Sequence, residues 1–376
     1  MTLTILLLVV LALAYANGAN DNFKGVATLF GSGTANYRGA LLWATATSFV
    51  GSLTAVFLAG QLLKNFSGRG LFDGGLVSSP QYVGAAALGA GMTVLLATRI
   101  GMPISTTHGL IGALVGAGWA AGSAVNVGKL GVDFFAPLLG SPFLAIAATT
   151  LCCPLLHHAR LRLGVAEHTC LCVGQRTVEV VPAASHAAVL QRAEQLSVTL
   201  GDTVVCRSRY QGHVLGIKAS AALDCAHYLS AGAVSFARGL NDTPKIAALL
   251  LAAPLFGSFG NTLVVALPMA IGGLLSARRV AEVMSRRITP MNHGQGFVAN
   301  LVTSVIVIGA SRFGMPVSTT HVSCGALFGI GAVTRQAHLR MIATILSAWG
   351  TTLPVAALLG AVAFRILVSI RVHNAA

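Results

Sequence analysis

Several stretches of this chain continue for about 18 or more residues with almost no charged side chain, which is long enough for a helix to cross a bilayer. Charged residues make up only 9% of the sequence, against roughly 25% in soluble domains. These patterns predict an all-α polytopic membrane protein, multi-pass in the cell membrane. The formal charge of +14 lies mostly in short loops between the apolar runs. That placement indicates contact with anionic membrane lipid rather than with nucleic acid.

Two motifs occur twice along the chain, in the same order. The decapeptide RIGMPISTTH at 99–108 returns at 312–321 as RFGMPVSTTH, with only two differences. The octapeptide GANDNFKG at 18–25 returns at 239–246 as GLNDTPKI. Duplicated motifs in one order indicate two homologous halves.

The halves are separated by a more polar segment that alternates like short strands. We predict an N-terminal membrane repeat over 1–157 and a C-terminal membrane repeat over 219–376. Between them, 158–218 is predicted to be a cytoplasmic linker with a small β-rich insert.

Each half has the same predicted parts: a first helix broken at the Asn-Asp motif, and later two apolar arms joined at GMP-STTH. Gly and Pro at that joint favour a re-entrant helical hairpin, which leaves an odd number of crossings per half and makes the repeats inverted in topology. In the second half, Pro244 suits the first turn of a helix that resumes after the break, with Thr243 or Asp242 as its cap. The more basic loops, 276–290 and 334–340, fall on the side of the linker. The positive-inside rule then places the linker in the cytoplasm and both termini outside.

The Asn-Asp motif places charged side chains inside apolar runs. Asp21 and Asp242 are each followed three residues later by a lysine, Lys24 or Lys245. A charged residue near the bilayer centre costs about 2.5–3.5 kcal/mol, so its presence indicates a function. We predict a coupling-ion or proton site formed by Asn20, Asp21, Asn241 and Asp242. The alternative is a pair of Asp–Lys bridges that only hold the repeats together.

The GMP-STTH joint offers hydrogen-bond donors to an anion. Hydroxyls stand there at the start of a helix, where free N–H groups and the positive end of the helix dipole also favour negative charge. We predict that the substrate is bound by these hydroxyls and the two lysines: Ser105, Thr106, Thr107, Ser318, Thr319, Thr320, Lys24 and Lys245. The alternative is plain N-capping of two helices, which Ser and Thr do in any protein.

Four residues that flank the hydroxyls are predicted to lie just outside the anion's direct contacts: Arg99, His108, Arg312 and His321. The arginines either offset anion charge or bond carbonyls at the end of the first arm, and the sequence favours neither role. The histidines are more typical of hydrogen-bonding neighbours than of ligands. No closed tetrahedral Cys/His pattern and no nucleophile elbow accompanies them. We therefore predict no metal, no organic cofactor and no enzymatic activity.

The paired Asn-Asp and GMP-STTH motifs, with the polar linker between them, resemble the inorganic phosphate transporter (PiT) family over nearly the whole chain outside the linker. The resemblance implies a secondary transporter of two inverted repeats that holds phosphate between the hairpin tips and works by alternating access and symport. It also implies that the Asn-Asp positions take part in binding coupling cations. The expected partners are inorganic phosphate and membrane lipid, and a homodimer is left open.

The two lysines depart from the pattern of that family, whose members commonly place a second Asn three residues after the Asp. A fixed ammonium at Lys24 and Lys245 would occupy the place of a bound sodium ion. We therefore expect less dependence on sodium than in relatives with Asn, with coupling to Na⁺ or H⁺ still open, or an uncoupled anion permease. The same departure keeps open an alternative substrate, sulfate or another tetrahedral oxyanion carried by the same fold.

Overall fold

The computed structural model describes residues 3–68, 70–72, 74–166, 169–178, 193–202, 215–252 and 256–373. The chain divides into two compact units, one formed by 1–153 together with 227–376 and the other by 154–226. The two halves of the sequence thus contribute to a single helical unit. The predicted boundaries of the two repeats and of the linker stay a prediction.

The first half is a succession of helices separated by short irregular segments. They are α1 (Leu3–Asp21), a 3₁₀ segment (Asn22–Val26), α2 (Ala27–Gly31), α3 (Tyr37–Leu58), α4 (Gly60–Asn65), α5 (Gly74–Val77), α6 (Pro80–Arg99), α7 (Thr106–Ala120), α8 (Val127–Lys129), a π-helical segment (Leu130–Phe135) and α9 (Ala136–Arg162).

The second half follows a comparable order. Its elements are α10 (Ala219–Ala247), a 3₁₀ segment (Ala248–Ala252), α11 (Ser258–Ser276), α12 (Arg278–Glu282), a π-helical segment (Val283–Arg287), α13 (His293–Arg312), α14 (Thr319–Thr334) and α15 (Leu339–His373).

Seven helical stretches in the described part of the chain are long and apolar enough to cross a membrane. They are Leu3–Gly31, Tyr37–Leu58, Pro80–Arg99, Val127–Arg162, Ser258–Ser276, His293–Arg312 and Leu339–Ile370. The chain is therefore a multi-pass membrane protein built from helices. The smaller unit differs, because it contains a three-stranded antiparallel sheet.

That sheet consists of β1 (Thr169–Val178), β2 (Ala193–Asp202) and β3 (Leu215–Lys218) in the order β2-β1-β3. The first residue of β1, Thr169, lies opposite Asp202, and the neighbouring Cys170 lies opposite Lys218. The sheet falls in the segment for which the sequence predicts a small β-rich insert.

The Asn-Asp motif breaks the helix in the first half but not in the second. The α-helix ends at Asp21 and continues as a 3₁₀ segment before α2 begins. In the second half α10 runs without a break through Asp242 and Pro244. The prediction that Pro244 begins a new helix capped by Thr243 or Asp242 is therefore wrong. Proline removes one backbone N–H, and membrane helices tolerate that loss inside a packed bundle.

The two GMP-STTH segments each join two helices that pack against each other, through matching turns. Residues 100–105 connect α6 to α7, and residues 313–318 connect α13 to α14. Gly101 has φ +75° and Gly314 has φ +70°, in the left-handed region that glycine adopts most easily. These turns end the first arm of each pair and direct the chain into the second arm.

Small residues let the arms of the first pair pack closely against α15. A side chain at Gly116 of α7 would collide with the backbone of Ala357, and one at Gly112 would collide with that of Leu353. Close approach through glycine is characteristic of membrane helix interfaces. The position of α7 therefore depends on glycine at the contact with α15.

Replacing Gly116 by Val is expected to destabilise the protein by about 1–3 kcal/mol, because the new side chain has no room beside the Ala357 carbonyl. Thermal unfolding of the detergent-solubilised protein measures the effect. The control is Gly350→Ala on α15, where nothing lies within 4 Å of the added Cβ. That change should be neutral or slightly stabilising. Equal behaviour of the two variants would contradict this account of the α7–α15 contact.

Candidate functional site

The Asn-Asp motifs and the GMP-STTH segments meet in one buried polar cluster. The ammonium of Lys24 is surrounded by oxygen atoms from the broken helix and from both arm-joining loops. Its neighbours are Asn20 Oδ1 at 2.8 Å, Asp21 Oδ1, the Ile104 carbonyl at 2.8 Å and Thr320 Oγ1 at 2.6 Å. The lysine side chain is only 2% exposed. It thus holds together three segments that are distant in sequence.

Lys245 makes the equivalent contacts from the second half. Its ammonium donates to Thr107 Oγ1 at 2.8 Å and to the Val317 carbonyl at 2.8 Å, and it lies 3.5 Å from Asp242 Oδ1. It also lies 5.6 Å from the centre of the Phe66 ring, within cation–π range.

The two lysines follow one rule. Each bonds the loop carbonyl of its own half, Ile104 or Val317, and the second threonine hydroxyl of the other half's loop. In the duplicated decapeptide these two carbonyls occupy the same position, and so do the two threonines. The duplicated motifs therefore converge in space, and each lysine cross-links both loops.

The asparagines of the Asn-Asp motif tie the first arm of each pair to the cluster. Asn20 Nδ2 donates to Thr98 Oγ1 at 2.9 Å, and Ser311 Oγ donates to Asn241 Oδ1 at 3.3 Å. Asn241 Nδ2 also donates to the Val317 carbonyl at 3.1 Å. Position by position, Thr98 and Ser311 are equivalent in the repeats. The asparagines thus position the arms as well as the charged groups.

The hydroxyls of the two loops are divided between helix capping and the charged groups. Ser105 Oγ accepts the His108 N–H at 3.1 Å, and Ser318 Oγ accepts the His321 N–H at 3.2 Å. These serines therefore act as N-caps, as the simpler alternative expects. Thr106 instead donates to Asp21 Oδ2 at 2.9 Å, and its counterpart Thr319 is also buried.

Two residues of the cluster are not among the sequence predictions. Arg238, 2% exposed, donates to Asn17 Oδ1 at 2.6 Å and to Ser48 Oγ at 2.8 Å. Asn17 in turn donates to Thr106 Oγ1 at 3.0 Å and to both carboxylates, Asp21 Oδ2 at 2.9 Å and Asp242 Oδ2 at 3.3 Å. The sequence does contain a signal for them. Arg238 is a charged residue in an apolar run, and it immediately precedes the second Asn-Asp motif just as Asn17 immediately precedes the first.

The arginines that precede the turns are not part of the cluster. Arg99 and Arg312 are both exposed at the ends of α6 and α13. Their predicted position beside the anion does not match this placement. The glycine turn that follows directs the chain toward the cluster, whereas each arginine stays at its helix C-terminus, where the dipole favours a cation.

The two predicted histidines pack against each other between the loops. The ring centres of His108 and His321 are 4.4 Å apart, and His321 also stacks on Trp349 at 3.8 Å. Both ring nitrogens of His321 and Nδ1 of His108 are buried without a hydrogen-bond partner in the described part of the chain. The expected hydrogen bonds to anion-contacting residues are thus not formed at these atoms.

The cluster is closely packed in this conformation. The cavity beside Lys24, lined also by Thr28, Asn300 and Thr303, has a volume of about 10 Å³. A space of that size holds at most one water molecule. This cavity is therefore too small for a tetrahedral oxyanion. No group of three His, Cys, Asp or Glu side chains that could hold a metal occurs within the described ranges.

The family model, the relatives and the solved structure that match this chain are all described as phosphate transporters or permeases. The model of the phosphate transporter family matches residues 17–360. The chain is 26% identical to a Pyrococcus abyssi protein assigned as a phosphate permease, covering 97% of this chain and 98% of that protein. It is 28% identical to a Rhizobium meliloti protein assigned as a low-affinity inorganic phosphate transporter, covering 96% and 94%. A solved structure of a sodium-dependent phosphate transporter is 19% identical and covers 98% of this chain and 99% of that one. Its TM-score of 0.75 shows the same fold.

Proposed function

The chain belongs to the phosphate transporter family, and on this premise we propose that it carries inorganic phosphate across the cell membrane by alternating access. Its relatives and its fold are those of transporters, so it is not an enzyme. The proposed site is the buried cluster in which Lys24 and Lys245 cross-link the two GMP-STTH loops. That convergence of duplicated residues is the observation that carries the proposal.

The cluster has the chemistry that a tetrahedral oxyanion needs. Two ammonium groups, the hydroxyls of Thr106, Thr107 and Thr320, and the N-termini of α7 and α14 all belong to this buried cluster. Ammonium groups, hydroxyls and helix N-termini each favour an anion. In our proposal phosphate takes over the hydrogen bonds that each lysine now gives to the opposite loop. Binding then loosens the cross-links that hold the site closed.

Alternating access requires the two halves to move relative to each other around the site. We propose that the halves are inverted-topology repeats with re-entrant hairpins, with both termini outside and 158–218 in the cytoplasm. The basic residues of α12 and the segment after it support this orientation, because Arg278, Arg279, Arg286 and Arg287 lie together in the short helical connection between α11 and α13.

We further propose that the lysines take the place of coupling cations. Lys24 Nζ lies among four oxygen atoms: one amide, one carboxylate, one carbonyl and one hydroxyl. Oxygen atoms of these kinds, from an unwound helix and from loop carbonyls, are typical cation ligands in transporters. A tethered ammonium in that position leaves protons, or no coupling ion, to accompany phosphate. The solved relative is named as sodium-dependent, which makes sodium the ion to test.

The test is uptake of labelled phosphate by purified protein in liposomes. If transport is coupled to protons, we expect a proton gradient to drive concentrative uptake of phosphate. If it is uncoupled, we expect phosphate only to equilibrate across the membrane. In both cases uptake should change little when sodium is replaced by choline. Excess unlabelled phosphate should suppress uptake more strongly than equal sulfate. Protein-free liposomes give the background. Absence of phosphate uptake, or stronger suppression by sulfate, would overturn phosphate as the substrate.

A further inference from the structure

Arg238 is a third buried cation in the candidate site. It lies on α10, one helical turn before Asp242, and is only 2% exposed. One terminal nitrogen donates to Asn22 Oδ1 at 3.1 Å and to Ser48 Oγ at 2.8 Å, while the other donates to Asn17 Oδ1 at 2.6 Å. These acceptors are neutral, so none of them compensates the guanidinium charge.

The residues that immediately precede the two Asn-Asp motifs differ in charge. Arg238 immediately precedes Gly239 of the second motif, and Asn17 immediately precedes Gly18 of the first. The two side chains hydrogen-bond to each other across the halves. Asn17 and Arg238 thus occupy equivalent positions in the two halves, but Asn17 is neutral and Arg238 is positively charged.

This difference leaves the buried site with excess positive charge. Among the described residues the buried side chains with a formal charge are Asp21 and Asp242, against Lys24, Lys245 and Arg238. The formal sum is +1, because two carboxylates face three cations. An uncompensated buried charge is costly, so a counter-charge is favoured strongly.

The guanidinium also keeps one donor free inside the cluster. Arg238 Nε is buried and has no hydrogen-bond partner in the described part of the chain. The nearest carboxylate oxygen, Asp242 Oδ2, lies 3.9 Å from Nε, within ion-pair range but beyond hydrogen-bond distance, and Asp242 is shared with Lys245. Asn17 connects the guanidinium to Thr106 of the first loop through two successive hydrogen bonds. An anion near the loop hydroxyls is therefore close enough to respond to this charge.

We propose that Arg238 supplies the excess positive charge that the transported anion neutralises, and so sets the affinity of the site for anions. This inference rests on the proposed function. The competing explanation is that Arg238 is only a structural tie, since it bonds Asn17 and Asn22 of the first half from a helix of the second.

The first test removes the charge. Arg238→Gln should raise the KM for phosphate uptake about 10- to 100-fold, the loss expected for a buried charged hydrogen-bonding group. Arg238→Lys, which keeps the charge but loses the forked hydrogen bonds, should raise KM less than Arg238→Gln does. The matched control is Arg365→Gln on α15, whose side chain is exposed. Thermal unfolding in detergent checks that each variant is folded.

The second test neutralises the charge without removing the arginine. Asn22→Asp has nearly the same shape and keeps the oxygen that accepts from Arg238, but it replaces the nitrogen that donates to Thr45 Oγ1 by a second carboxylate oxygen. A structural tie would become stronger and leave KM unchanged. If the excess charge recruits the anion, KM should rise by about tenfold or more while thermal stability is kept.

The outcomes separate the inference from its premise. If the wild-type protein takes up phosphate and Asn22→Asp does so with the same KM, the proposed role of Arg238 is overturned. This holds even if Arg238→Gln fails to fold. No phosphate uptake by the wild-type protein would overturn the proposed function and this inference with it.

Discussion

Replacing Asp21 by Asn is expected to lower the maximal rate of phosphate uptake by at least about 100-fold and to cost about 3–5 kcal/mol in the free energy of unfolding. The carboxylate contacts the Lys24 ammonium and accepts hydrogen bonds from Asn17 and Thr106. Its removal leaves a buried lysine without its counter-charge. Initial uptake rates in liposomes and thermal unfolding in detergent measure the two effects.

A double variant separates structure from function. Asp21→Asn combined with Lys24→Met removes both charges, so most of the lost stability should return, because no unpaired ion remains. Uptake should not return, since the ammonium and carboxylate both belong to the proposed site. Wild-type uptake in the double variant would instead show that the pair is only a bridge between segments. Asp133→Asn, at an exposed carboxylate, is the control for the substitution itself.

The second half offers a graded comparison. Asp242 lies 3.5 Å from Lys245 and 3.9 Å from Arg238, farther than Asp21 lies from Lys24. Asp242→Asn should therefore cost less stability than Asp21→Asn, while its effect on uptake should be of similar size. A larger loss of stability at Asp242 would contradict the assignment of Asp21 to the tighter pair.

The duplicated motifs made much of the site predictable. Two copies of one hydroxyl-rich joint and two Asp–Lys pairs at one spacing predict that these residues meet, and Thr107, Thr320 and both lysines do meet. The family prediction is confirmed, since the phosphate transporter model covers 17–360. Chemistry repeated within apolar runs is informative because charge at that depth is costly unless it is used.

Other features depend on packing that a sequence does not display. The continuous α10 through Pro244 requires neighbours that compensate the missing N–H, and these come from the folded bundle. The outward position of Arg99 follows from the direction of the glycine turn after it. Arg238 lies outside both motifs, and only alignment of the halves shows that it replaces an asparagine.

The effect of the two lysines on ion coupling is the second large expectation. Lys24→Asn combined with Lys245→Asn should change phosphate uptake from sodium-independent to sodium-dependent. In the wild type the ratio of uptake in sodium to uptake in choline should be about 1, whereas in the double variant it should exceed about 10. The physical reason is that each ammonium now occupies a position surrounded by cation ligands.

Removing the ammonium frees those ligands for an ion from solution. Around Lys24 they are Asn20 Oδ1, Asp21 Oδ1, the Ile104 carbonyl and Thr320 Oγ1. An asparagine at position 24 adds a carboxamide oxygen, and the uncompensated Asp21 carboxylate attracts the cation. Lys24→Met combined with Lys245→Met is the matched control, because methionine offers no oxygen ligand and should gain less sodium dependence.

Two results would contradict this account of coupling. A wild-type protein that requires sodium would show that the lysines do not replace the cation. Equal sodium dependence in the asparagine and methionine double variants would show that the added carboxamide oxygen does not matter. Lys64→Asn, at an exposed lysine of α4, should leave the sodium ratio unchanged. Because the tethered ammonium and a free ion compete for the same oxygen atoms, the identity of residues 24 and 245 should decide which cation accompanies phosphate.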